Sequence, residues 1–351
     1  MSRRRAAAAA PMTGAAMNGL GTRDAATQEK VALLANPATH GAQVRAVEVV
    51  ETHMSLLFLA GDTVYKLKKP VVYPFLDFSS LAARARNCAD EVRLNRRLAP
   101  QVYLGLSRIT RQRGGALALD GDGAVVDWLV RMRRLPRRMM LDQRIAEATV
   151  TAAEIDALAA LLARFYAEAE RGRLDGDGYV GQLRAEHAAS RRALAAFEPD
   201  GLALADEVQR FLDHDHGLLR ARVDAGRIVD GHGDLRAEHV CLDAAPVVID
   251  CLEFNERLRQ VDPFDELAFL GLDCARLGAA WIGERLLARL SAALADAVDA
   301  RVLRFYVRYR ACIRARLALA HLDEPQPRAA ERWRPQARAY LKLGAQFSPR
   351  S

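Results

Sequence analysis

Residues 228–254 read IVDGHGDLRAEHVCLDAAPVVIDCLEF, and the fold follows from how this stretch is read. Two apolar runs, Val240-Cys241-Leu242 and Val247-Val248-Ile249, are each too short for a helix. Asp243 and Pro246 between them mark a tight turn, so the pair is predicted to be a small hairpin. A loop carrying His232, Gly233, Asp234, Arg236, Glu238 and His239 precedes the first strand, and Asp250 follows the second directly. A hairpin brings Asp234 and Asp250 to the same end of its strands. One carboxylate can then take a proton while the other holds a cation, which suits phosphoryl transfer, a chemistry of positioning and charge neutralisation. An ordinary hairpin with polar turns would explain a lone His-Gly-Asp, but not the second Asp together with the Asp-Pro-Phe-Asp run at residues 262–265.

The segment HGDLRAEH resembles the catalytic loop of the aminoglycoside phosphotransferase-like branch of the protein-kinase fold, His-Gly-Asp-x-x-x-x-Asn, and the protein-kinase loop His-Arg-Asp-Leu-Lys-x-x-Asn. The run Asp262-Pro263-Phe264-Asp265-Glu266-Leu267-Ala268 is similar to the Asp-Pro-x-x-Asp-Leu-Ala of those phosphotransferases. The whole chain also resembles a bacterial group of uncharacterised proteins of that type with HGDLR-x-EH and IDCLEFN motifs, some fused to a P-loop domain. No Gly-x-x-x-x-Gly-Lys-Ser/Thr occurs here, so that domain is not expected. The resemblance implies that Asp234 is the catalytic base and that Asp250 binds metal. It places Arg236 where protein kinases carry a phosphate-neutralising Lys. His239 stands where the family has a metal-binding Asn; since imidazole is an unusual ligand for Mg²⁺, three options stay open: binding through water, a preference for Mn²⁺, or no metal contact.

Upstream, residues 28–34 form a short helix, and residues 44–50, 55–60 and 63–69 form three strands, the last two joined at Gly61-Asp62. This meander resembles the phosphate-covering sheet of kinases. Its first loop lacks their glycines, so Thr52, His53 and Ser55 would supply the donors. Lys66 and Lys68 share one strand face by the two-residue period, and either can be the phosphate lysine, Lys66 being the first choice. Residues 79–98 form a helix ended before Pro100, with Glu91 placed to orient that lysine. Further strands are expected at residues 103–109, 116–119 and 125–135. The last corresponds, by the resemblance, to the adenine-binding hinge, and Arg131, Arg133, Arg134, Arg137 and Arg138 crowd it.

The remainder is helical: a helix opened by the Thr151/Glu154 capping box, another over residues 202–223, and four more over 265–277, 280–297, 299–322 and 328–345. Asp213, His214, Asp215 and His216 look like a metal cluster, but adjacent helical positions fan out around the axis and cannot face one ion.

The chain has 351 residues, 51% of them hydrophobic, and a formal net charge of +7, which suits an anionic partner. A basic nucleic-acid-binding module is a minor alternative, without a recognised motif or interleaved aromatics. The five cysteines are scattered and show no CxxC pair, which argues against a zinc site and a disulfide framework and fits a reducing cytoplasm. No apolar run reaches the ~18 residues of a membrane span. The expected fold is α+β, a protein-kinase-like two-lobed fold: a tail over residues 1–27, a small antiparallel-sheet N-lobe over 28–136 and a mostly helical C-lobe over 137–351. The expected function is ATP-dependent phosphoryl transfer, with Mg²⁺ or Mn²⁺, to a hydroxyl of a small molecule. A nucleotide-binding regulator of the same fold is the alternative. Oligomeric state and acceptor are not written in the sequence.

Overall fold

A computed structural model describes residues 24–73, 76–322 and 330–347; most of the tail expected over residues 1–27 lies outside them. The chain forms two compact units, Met1–Arg134 and Leu135–Ser351.

In the first unit, helix α1 (Ala25–Ala35) is capped by Asp24, whose side chain accepts the Thr27 N–H at 2.6 Å. Strands β1 (Val47–Glu51), β2 (Ser55–Ala60) and β3 (Thr63–Lys68) make the meander. A two-stranded ribbon, β4 (Val72–Tyr73) with β5 (Leu76–Asp77), leads to helix α2 (Leu81–Asn95). Strands β6 (Tyr103–Arg111), β7 (Leu117–Leu119) and β8 (Ala124–Arg133) complete an antiparallel sheet of order β1-β2-β3-β8-β6-β7. Leu34 and Val31 of α1 bury against Leu56, Phe58, Leu67, Ile109 and Leu129. Because side chains alternate, Lys66 and Lys68 leave β3 on the face opposite Leu67. Asp127 of β8 ties both helices to the sheet: it accepts from Lys30 of α1 at 2.7 Å and from the buried Arg84 of α2 at 2.8 Å.

The second unit holds helices α3 (Leu141–Ala146), α4 (Ala152–Glu168), α5 (Gly176–Phe197), α6 (Leu202–His214) and α7 (His216–Asp224). Four two-residue strands follow: β9 (Val229–Asp230), β10 (Val240–Cys241), β11 (Val247–Val248) and β12 (Gln260–Val261). Strand β10 pairs with β11, and β9 with β12, both antiparallel. The chain then runs through α8 (Pro263–Arg276), α9 (Ala280–Ala293), α10 (Ala300–Ala320) and α11 (Ala330–Gln346). Helices α8 and α9 cross at backbone contact, since a Cβ on Gly283 would lie 2.8 Å from the Gly271 Cα. The helix expected over residues 202–223 is two helices that break at Asp215, where the backbone leaves helical dihedrals and Arg301 pairs with the carboxylate at 3.1 Å. Among the described residues the Asp213–His216 run forms no metal-holding group. Helix α5 has no apolar-periodic start in the sequence; Gly176, Gly178 and Gly181 dilute it, and Asp175 caps it by accepting the Gly178 N–H at 2.7 Å. No described helix is long and apolar enough to cross a membrane.

Removing the Asp127 carboxylate strands two cations in the first unit, and breaking a buried pair from one side costs about 3–5 kcal/mol. Asp127→Ala is therefore expected to lower stability by about that amount in urea denaturation. A loss below about 1 kcal/mol would show that Lys30 and Arg84 are not held by this acid.

Candidate active site

The loop before the hairpin is pinned from below by one buried side chain. Glu266, in the first turn of α8, accepts the His232 N–H at 3.0 Å, the Gly233 N–H through a still shorter bond, and the Tyr166 hydroxyl at 2.8 Å. Burial raises the pKa of its carboxyl, opposed by those backbone and phenol bonds. Gly233 has φ +89°, and a Cβ there would sit 2.9 Å from the Leu252 Cβ, so only glycine fits the turn. His232 is fully buried, and burial pushes its pKa down to about 4. The ring is therefore neutral at pH 7. Its Nε2–H donates to the Ile249 carbonyl at 3.0 Å, which leaves Nδ1 to accept the Asp234 N–H at 3.3 Å. The histidine before the Gly-Asp is thus a tie between loop and hairpin.

Asp234, so placed, lies 3.0 Å from the Arg236 Nε. Arg236 reaches Glu238 at 2.5 Å and sets its Nη2 3.0 Å from the His239 Nε2. Burial lowers the guanidinium pKa, but the Asp234 and Glu238 charges outweigh it and hold it above the usual value. His239 donates from Nδ1 to the Asp234 carbonyl at 2.8 Å, and its Nε2 is 3.6 Å from the Asp250 carboxylate. Asp250 has φ +64°, a left-handed backbone that costs a non-glycine residue about 1–2 kcal/mol. Two flanking bonds impose it, Ile249 N–H to the His239 carbonyl at 2.9 Å and Leu252 N–H to the His232 carbonyl at 2.9 Å. The effect is to turn a half-exposed carboxylate outward. Asp234, Arg236, His239 and Asp250 are thereby one cluster.

In the first unit, Lys66 and Lys68 both end on the buried Glu91, at 2.8 and 2.5 Å. Lys68 is 2% exposed and lies 5.2 Å from the Phe78 ring, while Lys66 is the more accessible of the two. Thr52 and Ser55 close the β1–β2 turn on each other: the Thr52 N–H donates to the Ser55 carbonyl at 2.9 Å, and the Ser55 N–H to the Thr52 hydroxyl at 3.0 Å. Both of those backbone donors are spent inside the turn, with His53 exposed at its tip. Of the arginines along residues 131–138, Arg134 pairs with Glu48 and Arg137 with Asp142, each within its own unit.

The Mg²⁺ that the fold family implies prefers oxygen and is usually held by one or two carboxylates, with water and substrate phosphates completing its shell. Asp250 fits that demand. His239 fits it less well, because its one available lone pair faces Arg236. Among the described residues no group of three or more acidic, His or Cys side chains is arranged to hold a metal alone.

Sequence reasoning places no role on Glu266, Tyr166 or Asp273, whose carboxylate accepts the Ala237 N–H at 3.1 Å. The acidic Asp-Pro-Phe-Asp-Glu opening of a largely apolar helix is a signal for Glu266 alone.

No protein-family model matches the chain. It is 34% identical over 293 residues to an uncharacterized protein of Mycobacterium tuberculosis strain H37Rv, a match covering 81% of this chain and 57% of that protein. The chain thus spans little more than half the length of the curated relative. Among solved structures, a choline/ethanolamine kinase family protein from Mesorhizobium loti superposes with a TM-score of 0.52 at 14% identity, covering 92% of this chain and 95% of that one. The GDP complex of aminoglycoside 2'-phosphotransferase-IIIa gives 0.48 at 16% identity, covering 91% and 97%. The chain has a two-lobed, kinase-like fold, with an antiparallel-sheet N-lobe and a helical remainder.

Glu266→Gln keeps the shape at the loop's anchor but turns an amide donor toward backbone N–H groups. The expected loss is about 1–3 kcal/mol, with faster hydrogen exchange at His232 and Gly233. Parent-like exchange at those two amides would remove Glu266 from this role.

Proposed function

Taking that kinase-like fold as premise, we propose that the protein is an ATP-dependent phosphotransferase acting on a hydroxyl of a small molecule. The observation that carries the reading is the cluster of Asp234, Arg236, His239 and Asp250 on one loop and hairpin. Asp234 accepts the proton of the attacking hydroxyl, its backbone fixed by His232 and its carboxylate met by Arg236. The guanidinium of Arg236 is placed to neutralise charge on the transferred phosphoryl group. Asp250 would hold Mg²⁺, or Mn²⁺ as the alternative, and the ion's contribution is to neutralise phosphate charge. In the sheet unit, Lys66 or Lys68, oriented by Glu91, would engage the nucleotide phosphates. The hinge-like β8 would supply backbone groups to the base. Thr52, His53 and Ser55 are assigned to the phosphate-covering turn. The five cysteines are free and buried, which supports a reducing, cytoplasmic setting.

The second reading is a nucleotide-binding regulator without turnover. It is favoured by one contact, the Arg236 guanidinium on the His239 nitrogen that would otherwise face a metal.

ATP with Mg²⁺ or Mn²⁺ is expected to raise the melting temperature of the parent. Asp234→Asn should retain ATP affinity within a few-fold and lose about 10²- to 10⁴-fold in phosphate release. Asp250→Asn should lose both. Nucleotide titration paired with phosphate release decides the matter: a parent that binds ATP but releases no more phosphate than either variant favours the regulator.

His239→Asn supplies a carbonyl oxygen where imidazole stands. It is expected to lower the Mn²⁺/Mg²⁺ activity ratio while retaining or raising turnover with Mg²⁺. An unchanged ratio accompanied by altered stability would make His239 a packing residue alone.

A further inference from the structure

A cavity of about 590 Å³ opens beside the catalytic loop in the helical unit, closed by α3, α8, α10 and α11. Its size is that of a small-molecule site. Arg236 and Glu238 line its end nearest Asp234. The other walls decide what it can hold.

Each acid in the lining is already engaged. Asp142 takes a two-pronged bond from Arg137 at 2.5 Å, and Glu238 is met by Arg236 at 2.5 Å. Asp273 accepts the Tyr340 hydroxyl at 2.6 Å and lies 3.3 Å from Arg276. Burial raises the pKa of Asp273, but the phenol bond and the charges of Arg314 and Arg276 outweigh it, so the acid stays ionised.

Among the described residues the cations of the lining are in excess. The Tyr340 hydroxyl accepts from Arg276 at 2.7 Å and from Arg314 at 3.0 Å, so two guanidiniums share one carboxylate through one phenol. Arg314 is 9% exposed, lies over the Phe269 and Tyr340 rings at 5.4 and 5.0 Å, and its Nε has no hydrogen-bond partner among the described residues. Arg332 rests 4.3 Å over Trp333, on which His321 stacks at 3.9 Å, and it meets no carboxylate among the described residues. A partly enclosed pocket with surplus guanidinium groups attracts an oxyanion and repels an ammonium.

We propose that the acceptor is an anionic alcohol of sugar size. Its carboxylate or phosphate is bound by Arg276, Arg314 and Arg332, and its hydroxyl is presented toward Asp234. The inference rests on the phosphotransferase reading and narrows its substrate. In the reaction the acceptor oxygen bonds to the γ-phosphorus, the bond from that phosphorus to the bridging oxygen breaks, ADP leaves, and the hydroxyl proton passes to Asp234. A polycationic acceptor is excluded by the same charges.

The test uses the full chain with ATP and Mg²⁺, following thermal shift and labelled phosphate transfer for gluconate, glucose 6-phosphate, glucose, glucosamine and kanamycin. Gluconate or glucose 6-phosphate should raise the melting temperature and accept phosphate, and which of the two does so separates a carboxylate site from a phosphate site. Glucosamine and kanamycin should do neither. Arg332 is exposed and Arg276 only half-buried, so Arg332→Glu and Arg276→Gln leave the fold intact; each should weaken the effective anion about tenfold, the worth of one charge-assisted contact. The proposal is overturned if both anions are silent, if a cationic probe is the one phosphorylated, or if both variants bind the anion as the parent does. Absence of an ATP-induced shift in the parent counts instead against the phosphotransferase reading. The anion shifts of parent and variants then decide the pocket's charge preference independently.

Discussion

Helix α8 and the Asp262 that caps it carry four carboxylates into the protein interior, and the helical unit is arranged to receive them. Asp262 caps the helix through the Phe264 N–H at 3.0 Å while holding Arg222 at 2.6 Å and Tyr306 at 3.0 Å. Asp265 is paired by Arg310 through two bonds of 2.7 and 2.6 Å, Glu266 holds the His232-Gly233 loop, and Asp273 holds Ala237 and Tyr340. A buried carboxylate without partners costs several kcal/mol, so each dictates a neighbour. Burial raises the pKa of Asp265 and opposes the pull of Arg310. Ion pairs of this kind contribute less to net stability than to geometry, since leaving any one unmade is what the fold cannot tolerate.

Rigidity at the anchor lets strain be carried at the working end. Gly233 and Asp250 both sit at positive φ, one where a side chain would collide and the other where a side chain is required. The loop can hold Asp250 in that conformation because its neighbours Ile249 and Leu252 each bond back to the histidine carbonyls of the opposing segment. His232 links the two layers: its backbone bonds to Glu266 below and its ring bonds to the hairpin above. Asp234 and the hairpin end that carries Asp250 are therefore referenced to the same buried acid.

Elements encoded by local pattern were legible from the chain alone. Strand β2 falls on residues 55–60 as expected, because an apolar run bounded by Thr52 and Gly61-Asp62 leaves no other register. The period of two placed Lys66 and Lys68 on one face, where both meet Glu91. Features set by distant partners were not legible. Tyr166 and Glu266 lie 100 positions apart, and nothing near either announces the other. At the break at Asp215 the carboxylate pairs with Arg301 of a later helix, whereas the local apolar spacing runs straight through it. The turn at Thr52 and Ser55 is closed by one backbone bond and by the Thr52 hydroxyl, which accepts the Ser55 N–H as a short polar side chain near a turn tends to do.

His239 shows why one atom's lone pairs matter more than residue similarity. An asparagine there could donate from its amide nitrogen to the Asp234 carbonyl and still offer an oxygen with two lone pairs, one for Arg236 and one for a cation. Imidazole offers a single in-plane lone pair once Nδ1–H is committed to the Asp234 carbonyl. At 3.0 Å from a guanidinium that can only donate, the Nε2 lone pair is spent on Arg236. Direct metal ligation by His239 and the present position of Arg236 are thus mutually exclusive. With Arg236 beside Asp234, any cation at this site would fall to Asp250; His239 would become available only if a ligand drew Arg236 toward its own negative charge. The Nε2 lone pair of His239 is thus coupled to where the Arg236 guanidinium lies.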